Sequence, residues 1–561
     1  MRVMRCGRIL LAIVLGMSFL AWGQGGSSQA GRGAAAPSAS PQQTGAPGSA
    51  AQRGGGGGRG GGGSSGPGDF YTYDTSATAG IPVPDMPPVE TRQKVSINGE
   101  PLAYTARAGF LPLRNPTTGL AEAHLFFTSY TKDGGGDASA RPLMFFLGGA
   151  PGVAAGWQEF GGLGPKGMKG IGGPAAGQPP FGWTDNPHTL LVQADLVFVN
   201  PVGTAWSRPD QPGRGPSYGN TATDIASLGE FVRAFLAKYD RRNSPLFLTG
   251  EDFATGRTAG LAVYLGEHHI PVLGVALLSM MPSADAVAGD AQYLNFLPSM
   301  IMAAWRHKKL APELLALSAP QIGEQARQFA SRDYLHALYK GDRMTAEDRA
   351  VFVANMARLT GLSKAFLLNN NLRIPLDRFQ AELLRDQRRT LSGSDARVAG
   401  TVPPSGGRGG GRGGFGGGAA PVVFDFNQAR LSAGFLTAYE TYLRRELGFG
   451  GVEAGPFYLS GGGIGAFTVT GNDDANLSAA FLRNPNLRLF VGANYFDLNA
   501  PFFATEFTVA HLGVSPEVRA RNITVRLFEA GQMACVGTDS LAQLCAEIIE
   551  FIVTAVSAAR G

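Results

Sequence analysis

Short apolar runs alternate with helical patterns along most of the chain, and this alternation most restricts its fold. Several runs are bounded by Gly or Pro, and helical patterns such as Ile225–Tyr239 separate them. Buried strands that alternate with helices favour an α/β fold with a mostly parallel, doubly wound sheet. The predicted strands are Ala123–Tyr130, Leu143–Leu147, Leu196–Val199, Leu246–Leu248, Val272–Leu278, Leu487–Val491 and Ile523–Leu527.

Two further patterns extend this architecture. Lys94–Ile97 and Leu102–Thr105 flank Asn98-Gly99, a dipeptide typical of a tight hairpin turn. From about Ala284 to Arg397 the apolar residues recur with helical spacing and strand-like runs disappear. We therefore expect a helical cap inserted into the sheet domain.

The N-terminus has the features of a secretory signal peptide. Arg2, Arg5 and Arg8 precede the apolar run Ile9–Leu20, and a small-x-small pattern ends at Gly23. The run is too short for a membrane span, and none is predicted in the mature chain. We expect export to the periplasm or the extracellular space.

Glycine-rich tracts divide the remainder. Residues 24–68 predict a flexible arm, because they lack the apolar surface to form a core. The arm is an inert linker, a spacer or a contact with the cell wall. Gly406–Gly418 predicts a loop insertion. The expected organisation is a first core segment (69–283), a helical cap (284–398), a Gly/Arg-rich loop (399–421) and a second core segment (422–561).

Charge and cysteine usage exclude several functions. The whole chain has a net charge of +5. Three arginines lie in residues 1–23 and three in residues 24–68, so the rest of the chain has a net charge of −1. We therefore predict no nucleic-acid partner. No Cys/His spacing resembles a metal site, and no cofactor is predicted. Cys535 and Cys545 either form a disulfide in an oxidising compartment or remain buried thiols.

Residues Leu246–Thr255 predict a short strand, a sharp turn and the start of a helix. Gly250 and Ala254 are small enough for close backbone approach in such a turn. Asp252 stands at its tip, where a serine hydroxyl would be the nucleophile of a Gly-x-Ser-x-Gly elbow. A carboxylate cannot be activated by losing a proton to a neighbouring base, so acyl transfer is not expected from Asp252.

The chain resembles the serine carboxypeptidase family, α/β-hydrolases that remove C-terminal residues from peptides. The likeness extends over most of Phe70–Ala558 and is closest to bacterial members. Besides the turn at Asp252, the motifs that carry it are Gly148–Gly152, Gly161–Pro165, Ala194–Thr204, Tyr495–Pro501 and Glu529–Met533. The resemblance implies an α/β-hydrolase fold with the triad order Ser, Asp, His.

The triad positions implied by the resemblance are degenerate. Asp252 replaces the nucleophilic serine, Gln532 replaces the general-base histidine, and Asp497 remains as the orienting acid. Loss of either residue lowers turnover by roughly a million-fold in a serine protease. Gln532 can donate an N–H to Asp497, but it cannot accept and return a proton near neutral pH.

The resemblance also implies two binding features. Backbone N–H groups of Ala150 and Phe253 would form the oxyanion hole. Gly148 and Glu251 would form the subsite for a substrate carboxylate, with Gly148 in place of the family's asparagine. The first hypothesis is therefore an exported pseudoenzyme whose cleft binds a peptide or another small molecule.

The electrostatic setting of Asp252 suggests why it is tolerated. Its carboxylate stands at a helix N-terminus, where negative charge is favoured, and can occupy the oxyanion hole. Glu251 is adjacent, so one of the two acids takes a proton if both are buried. Arg257, one turn along the helix, is a candidate to neutralise the cluster.

Two alternatives remain open. The chain could be an active hydrolase, either with residual carboxypeptidase activity or with Asp252 as the nucleophile. In the second case Asp252 attacks an alkyl carbon, as in dehalogenases and epoxide hydrolases, but hydrolysis of the resulting ester needs a histidine-activated water. The chain could instead be an envelope interaction module tethered by residues 24–68. A relocated triad has little support: Ser460 lacks a matched histidine, Ser207 is expected to line the cleft, and His124, His188 and His511 are expected to be packed or exposed.

Overall fold

The computed structural model describes residues 87–134, 136–149, 151–173, 177–211, 214–401, 425–450, 457–459, 467, 473–534, 536 and 539–560. The chain divides into Met1–Thr72 and Tyr73–Gly561, and every described residue belongs to the second unit. The predicted signal peptide, the predicted arm and most of the Gly/Arg-rich loop lie outside the described residues, as do Ala150, Ser460 and Cys535.

The described residues form one large mixed sheet and two small hairpins. The strands are β1 (Val89–Ile97), β2 (Glu100–Arg114), β3 (Ala121–Lys132), β4 (Leu143–Phe146), β5 (Lys166–Met168), β6 (Trp183–Asp185), β7 (Asp195–Val199), β8 (Arg208–Pro209), β9 (Leu246–Glu251), β10 (Gly274–Leu278), β11 (Arg389–Leu391), β12 (Ala399–Thr401), β13 (Arg488–Asn494) and β14 (Ile523–Phe528).

The large sheet has the order β1-β2-β3-β7-β4-β9-β10-β13-β14, with β8 paired to β3. Strands β7 to β14 of this order run parallel, whereas β1, β2 and β3 are joined to one another and to β7 by antiparallel pairs. Every apolar run predicted as a strand coincides with one of these strands. The predicted mostly parallel sheet is therefore confirmed.

The helices follow the strands along the chain. They are α1 (Gly156–Gln158), α2 (Thr221–Lys238), α3 (Ala254–Glu267), α4 (Ala291–Arg306), α5 (Pro312–Leu315), α6 (Ala319–Gln328), α7 (Leu335–Lys340), α8 (Ala346–Thr360), α9 (Lys364–Asn369), α10 (Leu376–Glu382), α11 (Phe426–Arg445), α12 (Asp473–Arg483), α13 (Phe502–Ala510), α14 (Pro516–Asn522) and α15 (Asp539–Arg560). Single π-helical turns occur at Glu159–Leu163 and Phe329–Tyr334.

Helices cover both faces of the sheet, which explains why central parallel strands such as β4 and β10 are apolar and buried throughout. In β9, Leu246 and Leu248 belong to the core formed with α2, α3 and α12, whereas Phe247 belongs to the core formed with α11 and α15. Successive side chains of a strand point to opposite faces, so each short run contributes to two cores.

The hairpin predicted at Asn98-Gly99 joins β1 to β2. Ile97 pairs with Glu100, and Asn98 and Gly99 have φ values of 51° and 90°. Positive φ at both central residues is the geometry that favours Asn-Gly in two-residue hairpins. The local prediction is confirmed.

The segment expected to be a cap contains α4 to α10, between β10 and β13 of the sheet. Its apolar side chains form a third core, which includes Tyr495, Phe496 and Leu498 from the chain just after β13. These helices therefore pack at the carboxyl end of the sheet. The expectation that strands are absent is wrong at its end, where β11 and β12 pair antiparallel.

In the described part of the chain, α15 is a helix long and apolar enough to cross a membrane, with a mean hydropathy of 1.7 in an 18-residue window of Ser540–Arg560. One face, including Leu544, Ile548 and Ile552, is buried in a core shared with the sheet. Cys545 on this helix is a buried free thiol, and burial raises its pKa to about 12. The alternative disulfide involves Cys535, outside the described residues.

Candidate functional site

The turn between β9 and α3 places Asp252 at the carboxyl end of the sheet. Asp252 has φ 57°, a left-handed conformation that few non-glycine residues adopt. Its N–H donates to Leu278 O (3.0 Å), and its carbonyl oxygen accepts the N–H of Thr255 (3.0 Å). The turn is thus fixed to β10 on one side and to the first turn of α3 on the other.

Gly250 is required by this turn. A Cβ at that position would lie 2.2 Å from Thr258 Oγ1 and 2.3 Å from Ala254 O. Backbone atoms cannot move away from such a contact without unwinding the start of α3. The small residue expected at position 250 therefore has a steric cause.

The Asp252 carboxyl is half-buried and bonded within the site. It accepts hydrogen bonds from the Phe253 N–H and from the Gln532 side chain. Burial raises its pKa to about 6, and both hydrogen bonds oppose that rise. The Asp252 side chain is thus hydrogen-bonded to the Phe253 N–H, one of the two groups predicted to form the oxyanion hole.

Gln532 is held by three neighbours that the sequence analysis did not single out. Its N–H donates to Ser394 O (2.6 Å), its carbonyl oxygen accepts from Ser279 Oγ (2.6 Å), and its Oε1 accepts from Asn499 Nδ2 (3.1 Å). Asn499 lies only two residues after Asp497, so its proximity could have been inferred from the motif. Ser279 and Ser394 come from distant segments.

Asp497 is fully buried and only partly hydrogen-bonded. Its Oδ1 accepts the N–H groups of Asn499 and Ala500, both at 2.9 Å. Its Oδ2 has no hydrogen-bond partner among the described residues. The predicted Gln532–Asp497 hydrogen bond is therefore wrong, because the Gln532 amide is engaged by Asn499 and Asp252 instead.

Burial raises the pKa of Asp497 well above its usual value, and the charge of Asp252 adds to the rise. The two backbone N–H groups oppose it. Ser279 also lies close enough to lower this pKa, although its hydroxyl hydrogen is directed to Gln532 O. The acid expected to orient a histidine thus has no basic partner in the described part of the site.

Glu251, the last residue of β9, completes a group of three acids. It is only 6% exposed, and its Oε1 has no hydrogen-bond partner in the described structure. Burial, followed by the charges of Asp252 and Asp497, raises its pKa to about 8. Glu251 therefore carries a proton at neutral pH, in line with the expectation for adjacent buried acids.

Arg257 does not neutralise this group, and that prediction is wrong. Its Nε donates to Asp224 Oδ2 at 2.6 Å. Its Nη1 donates to Leu147 O (2.9 Å) and Gly149 O (3.1 Å). Arg257 instead fixes the loop that follows β4, because its position on α3 directs it away from Glu251 and towards α2.

That loop contains Gly148, expected in the carboxylate subsite. Gly148 has φ 75°, and a Cβ there would lie 2.9 Å from Val153 O. Any side chain at this position meets the backbone, including the asparagine that the resemblance implies. The loop as folded therefore lacks a side chain that could bind a carboxylate at position 148.

The other candidate residues do not form a second triad within the described structure. Ser207 is fully buried, donates to Asn200 O (2.7 Å) and accepts the Phe126 N–H (2.8 Å), so it does not line a cleft. His511 is exposed at the end of α13, and His124 is buried beside Asp210. No group of three or more described His, Cys, Asp or Glu side chains could hold a metal ion.

Comparison with known proteins identifies the fold. No protein-family model matches the chain, and no curated protein matches it. The crystal structure of Kex1, a prohormone-processing carboxypeptidase from Saccharomyces cerevisiae, is similar with a TM-score of 0.51 and 13% identity, covering 80% of this chain and 91% of Kex1.

More distant matches include a carboxylesterase of Nitrososphaera gargenis (TM-score 0.33, 10% identity, 79% of this chain and 99% of that one). Juvenile hormone epoxide hydrolase from Bombyx mori also matches (TM-score 0.29, 10% identity, 82% of this chain and 80% of that one). The sheet order and the similarity to the carboxypeptidase show that this protein has the α/β-hydrolase fold.

Proposed function

We propose that this chain is an exported, serine carboxypeptidase-like pseudoenzyme that binds a peptide or small molecule without hydrolysing it. The carboxypeptidase assignment is supported by the ordered motifs around Gly148, Asp252, Asp497 and Gln532, and by the fold shared with Kex1. Export is supported by the character of residues 1–23. The absence of hydrolysis is supported by the chemistry of the triad positions.

The observation that carries the proposal is the position of the Asp252 carboxyl. It accepts the Phe253 N–H, the donor that would otherwise stabilise a tetrahedral oxyanion. A negative charge there repels the developing oxyanion, whereas the hole normally lowers the barrier by about 3–4 kcal/mol. The site thus loses its nucleophile and opposes the transition state.

The base position gives independent support. Gln532 binds Asp252 and Asn499 through a neutral amide that has no titration near neutral pH. Asp497 Oδ2, which would accept the N–H of a base, is left without a partner among the described residues. Gln532 therefore cannot relay a proton from a nucleophile to a leaving amine.

The test compares the whole protein with the double variant Asp252→Ser, Gln532→His on blocked dipeptides from mildly acidic to neutral pH. The single variant Asp252→Ser is the matched control, since it restores a hydroxyl without a base. A fluorophosphonate probe reports a reactive serine separately from peptide binding. We expect no turnover by the unmodified protein and phosphonylation only of the double variant.

The proposal fails if the unmodified protein cleaves the dipeptides, and a rate that Asp252→Asn does not alter would then place the nucleophile elsewhere. Phosphonylation of the double variant without peptide cleavage would support an intact scaffold with a lost carboxylate subsite, as the geometry at Gly148 leads us to expect. Cleavage by the double variant would show that the two substitutions at the triad positions alone account for the loss of hydrolysis.

A second candidate function is nucleophilic attack by Asp252 on an alkyl carbon. The observation that favours it is the placement of a carboxyl on a half-buried residue at the tip of an elbow with φ 57°. With its pKa raised to about 6, the group is ionised at neutral pH. Without a base to hydrolyse the ester, a stable adduct would accumulate. Incubation with styrene oxide and 1-bromohexane, followed by peptide mass spectrometry, should reveal it, and an unmodified Asp252 peptide would exclude this chemistry.

A further inference from the structure

A cavity of about 850 Å³ opens beside the triad positions but does not include them. It lies among the end of α4, the chain leading into β12, the starts of α11 and α15, and the segments after β13 and β14. Phe496 and Met533 line it, next in sequence to Asp497 and Gln532. Its volume is in the usual range for small-molecule sites.

Positive charge exceeds negative charge on the described walls of this cavity. Arg306, Arg397 and Arg430 line it, opposed by the carboxyls of Asp395 and Glu529. Arg397 and Asp395 neutralise one another, with a contact of 2.8 Å between Nη2 and Oδ2. Two guanidinium groups and one further carboxylate remain.

Arg430 is held in place without being neutralised. Its Nη1 donates to Gly173 O (3.0 Å) and its Nη2 donates to Asn427 Oδ1 (3.2 Å), and both acceptors are uncharged. Arg306, in the last turn of α4, is exposed and has no carboxylate contact within the described structure. A guanidinium group that keeps free N–H donors is suited to bind a carboxylate.

An aromatic wall stands beside these charges. The rings of Trp305 and Phe496 are nearly parallel, 8° apart, with centroids separated by 6.5 Å. The Arg397 guanidinium lies over the Phe496 ring at 5.6 Å, a cation–π contact that helps to hold the ring in place. Ile171, Leu431 and Met533 add apolar surface to the same cavity.

We propose that this cavity binds a small carboxylic acid that carries an aromatic or aliphatic body. Arg306 and Arg430 bind the carboxylate, and the surface around Trp305 and Phe496 receives the body. Both a free organic acid and the C-terminus of a peptide present this chemistry.

The proposal is independent of the one above for the elbow, because no described residue of the predicted triad, oxyanion hole or carboxylate subsite lines the cavity. Binding here therefore does not require Asp252 or Gln532 in any particular form. The double variant Asp252→Ser, Gln532→His should bind the same acid with the same affinity as the unmodified protein.

The test is calorimetric titration of the whole chain with N-acetylphenylalanine, its C-terminal amide and 3-phenylpropionate. The acid and the amide are similar in shape but differ in charge and in the donors of the terminal group, and 3-phenylpropionate lacks the peptide group. We expect the acid to bind at least ten-fold more tightly than the amide, and Arg306→Gln or Arg430→Gln to remove most of that difference. Arg385→Gln, which changes an arginine that is 77% exposed on the cap, is the matched control.

Tight binding of both acids would support the proposal and would show that the cavity accepts organic acids in general. Binding of N-acetylphenylalanine alone would support it with a peptide C-terminus as the ligand. Equal affinity for acid and amide, no binding of either acid, or loss of binding in Arg385→Gln equal to that in Arg306→Gln would overturn it. Arg306 is exposed, so its variant should keep the melting temperature of the parent.

Discussion

Two buried aspartates at opposite ends of the parallel strands differ in their hydrogen-bond and ion-pair partners. Asp195, at the start of β7, accepts from Arg141 Nε and Arg241 Nη1 at 2.7 Å each and from the Lys132 N–H at 3.1 Å. Asp497, after the end of β13, has one oxygen without a partner and no cation acting on its pKa. Both are at most 1% exposed.

The difference separates an acid that stabilises the fold from acids whose burial costs folding free energy. Buried charges are normally paired, because an isolated one loses several kcal/mol of hydration. At the amino end of β7 the chain supplies two arginines for one carboxyl. At the carboxyl end it places Glu251, Asp252 and Asp497 together with no described cation acting on them. Unpaired acids of this kind are a mark of ligand sites rather than of structural ones.

The largest expected effect is at the paired acid. Asp195→Asn leaves Arg141 and Arg241 buried without a counter-charge, and we expect unfolding to become easier by about 3–5 kcal/mol. Urea unfolding measures the change. Asp386→Asn is the control, since Asp386 is 64% exposed in its ion pair with Lys309, and it should hardly alter stability. Equal effects of the two variants would contradict the distinction.

The next effect concerns Glu251 and depends on pH. Its pKa rises from 4.5 unfolded to about 8 folded, so the folded state keeps a proton that the unfolded state releases. The free energy of unfolding should therefore fall as pH rises from about 5 to 8, by about 2–4 kcal/mol. Glu251→Gln should remove this part of the pH dependence. Parallel pH curves for the two proteins would show that Glu251 ionises normally.

The same Asp→Asn substitution at Asp497 should change the free energy of unfolding in the opposite direction to the substitution at Asp195. Asparagine keeps the acceptor used by the Asn499 and Ala500 N–H groups and removes a buried charge. We expect Asp497→Asn to stabilise the protein by about 1 kcal/mol at pH 8 and by less at pH 5, because the raised pKa of Asp497 favours the uncharged acid as the pH falls. Thermal unfolding at both pH values measures it, and destabilisation at pH 8 would reverse the comparison.

The smallest effect tests coupling within the group of acids. Asp252 ionises with a pKa of about 6, and its charge contributes to the raised pKa of Glu251. Asp252→Asn should therefore lower the Glu251 midpoint in the pH–stability curve, by less than about one unit. An unchanged midpoint would mean that burial alone sets the Glu251 pKa.

The fold was largely predictable because its signals are local. Runs such as Leu143–Leu147 are fully buried, so they contain apolar residues throughout, and the Asn98-Gly99 turn needs only its own backbone preference. The elbow was predictable for the same reason, since Gly250, Asp252 and Ala254 lie within five residues. Strands β11 and β12 were missed because three-residue strands leave no periodic pattern.

The contacts of the site were less predictable because they join distant segments. Arg257 is paired with Asp224, 33 residues away, and sequence spacing alone favoured the nearer acids. The Gln532 amide had several acceptors and donors within reach, and only the fold shows that Asn499 and Asp252 engage it. The arginines of the cavity come from three separate segments, so no motif unites them.

The backbone at residue 252 has a consequence for which sequences this position can accept. Left-handed φ values cost most residues roughly 1–2 kcal/mol, but aspartate and asparagine adopt them several-fold more often than other non-glycine residues. A β-branched residue there would strain the turn whatever its chemistry. The set of tolerated substitutions at Asp252 is therefore narrow even in a protein with no reaction to perform, and sequence invariance at this position would not by itself be a sign of catalysis.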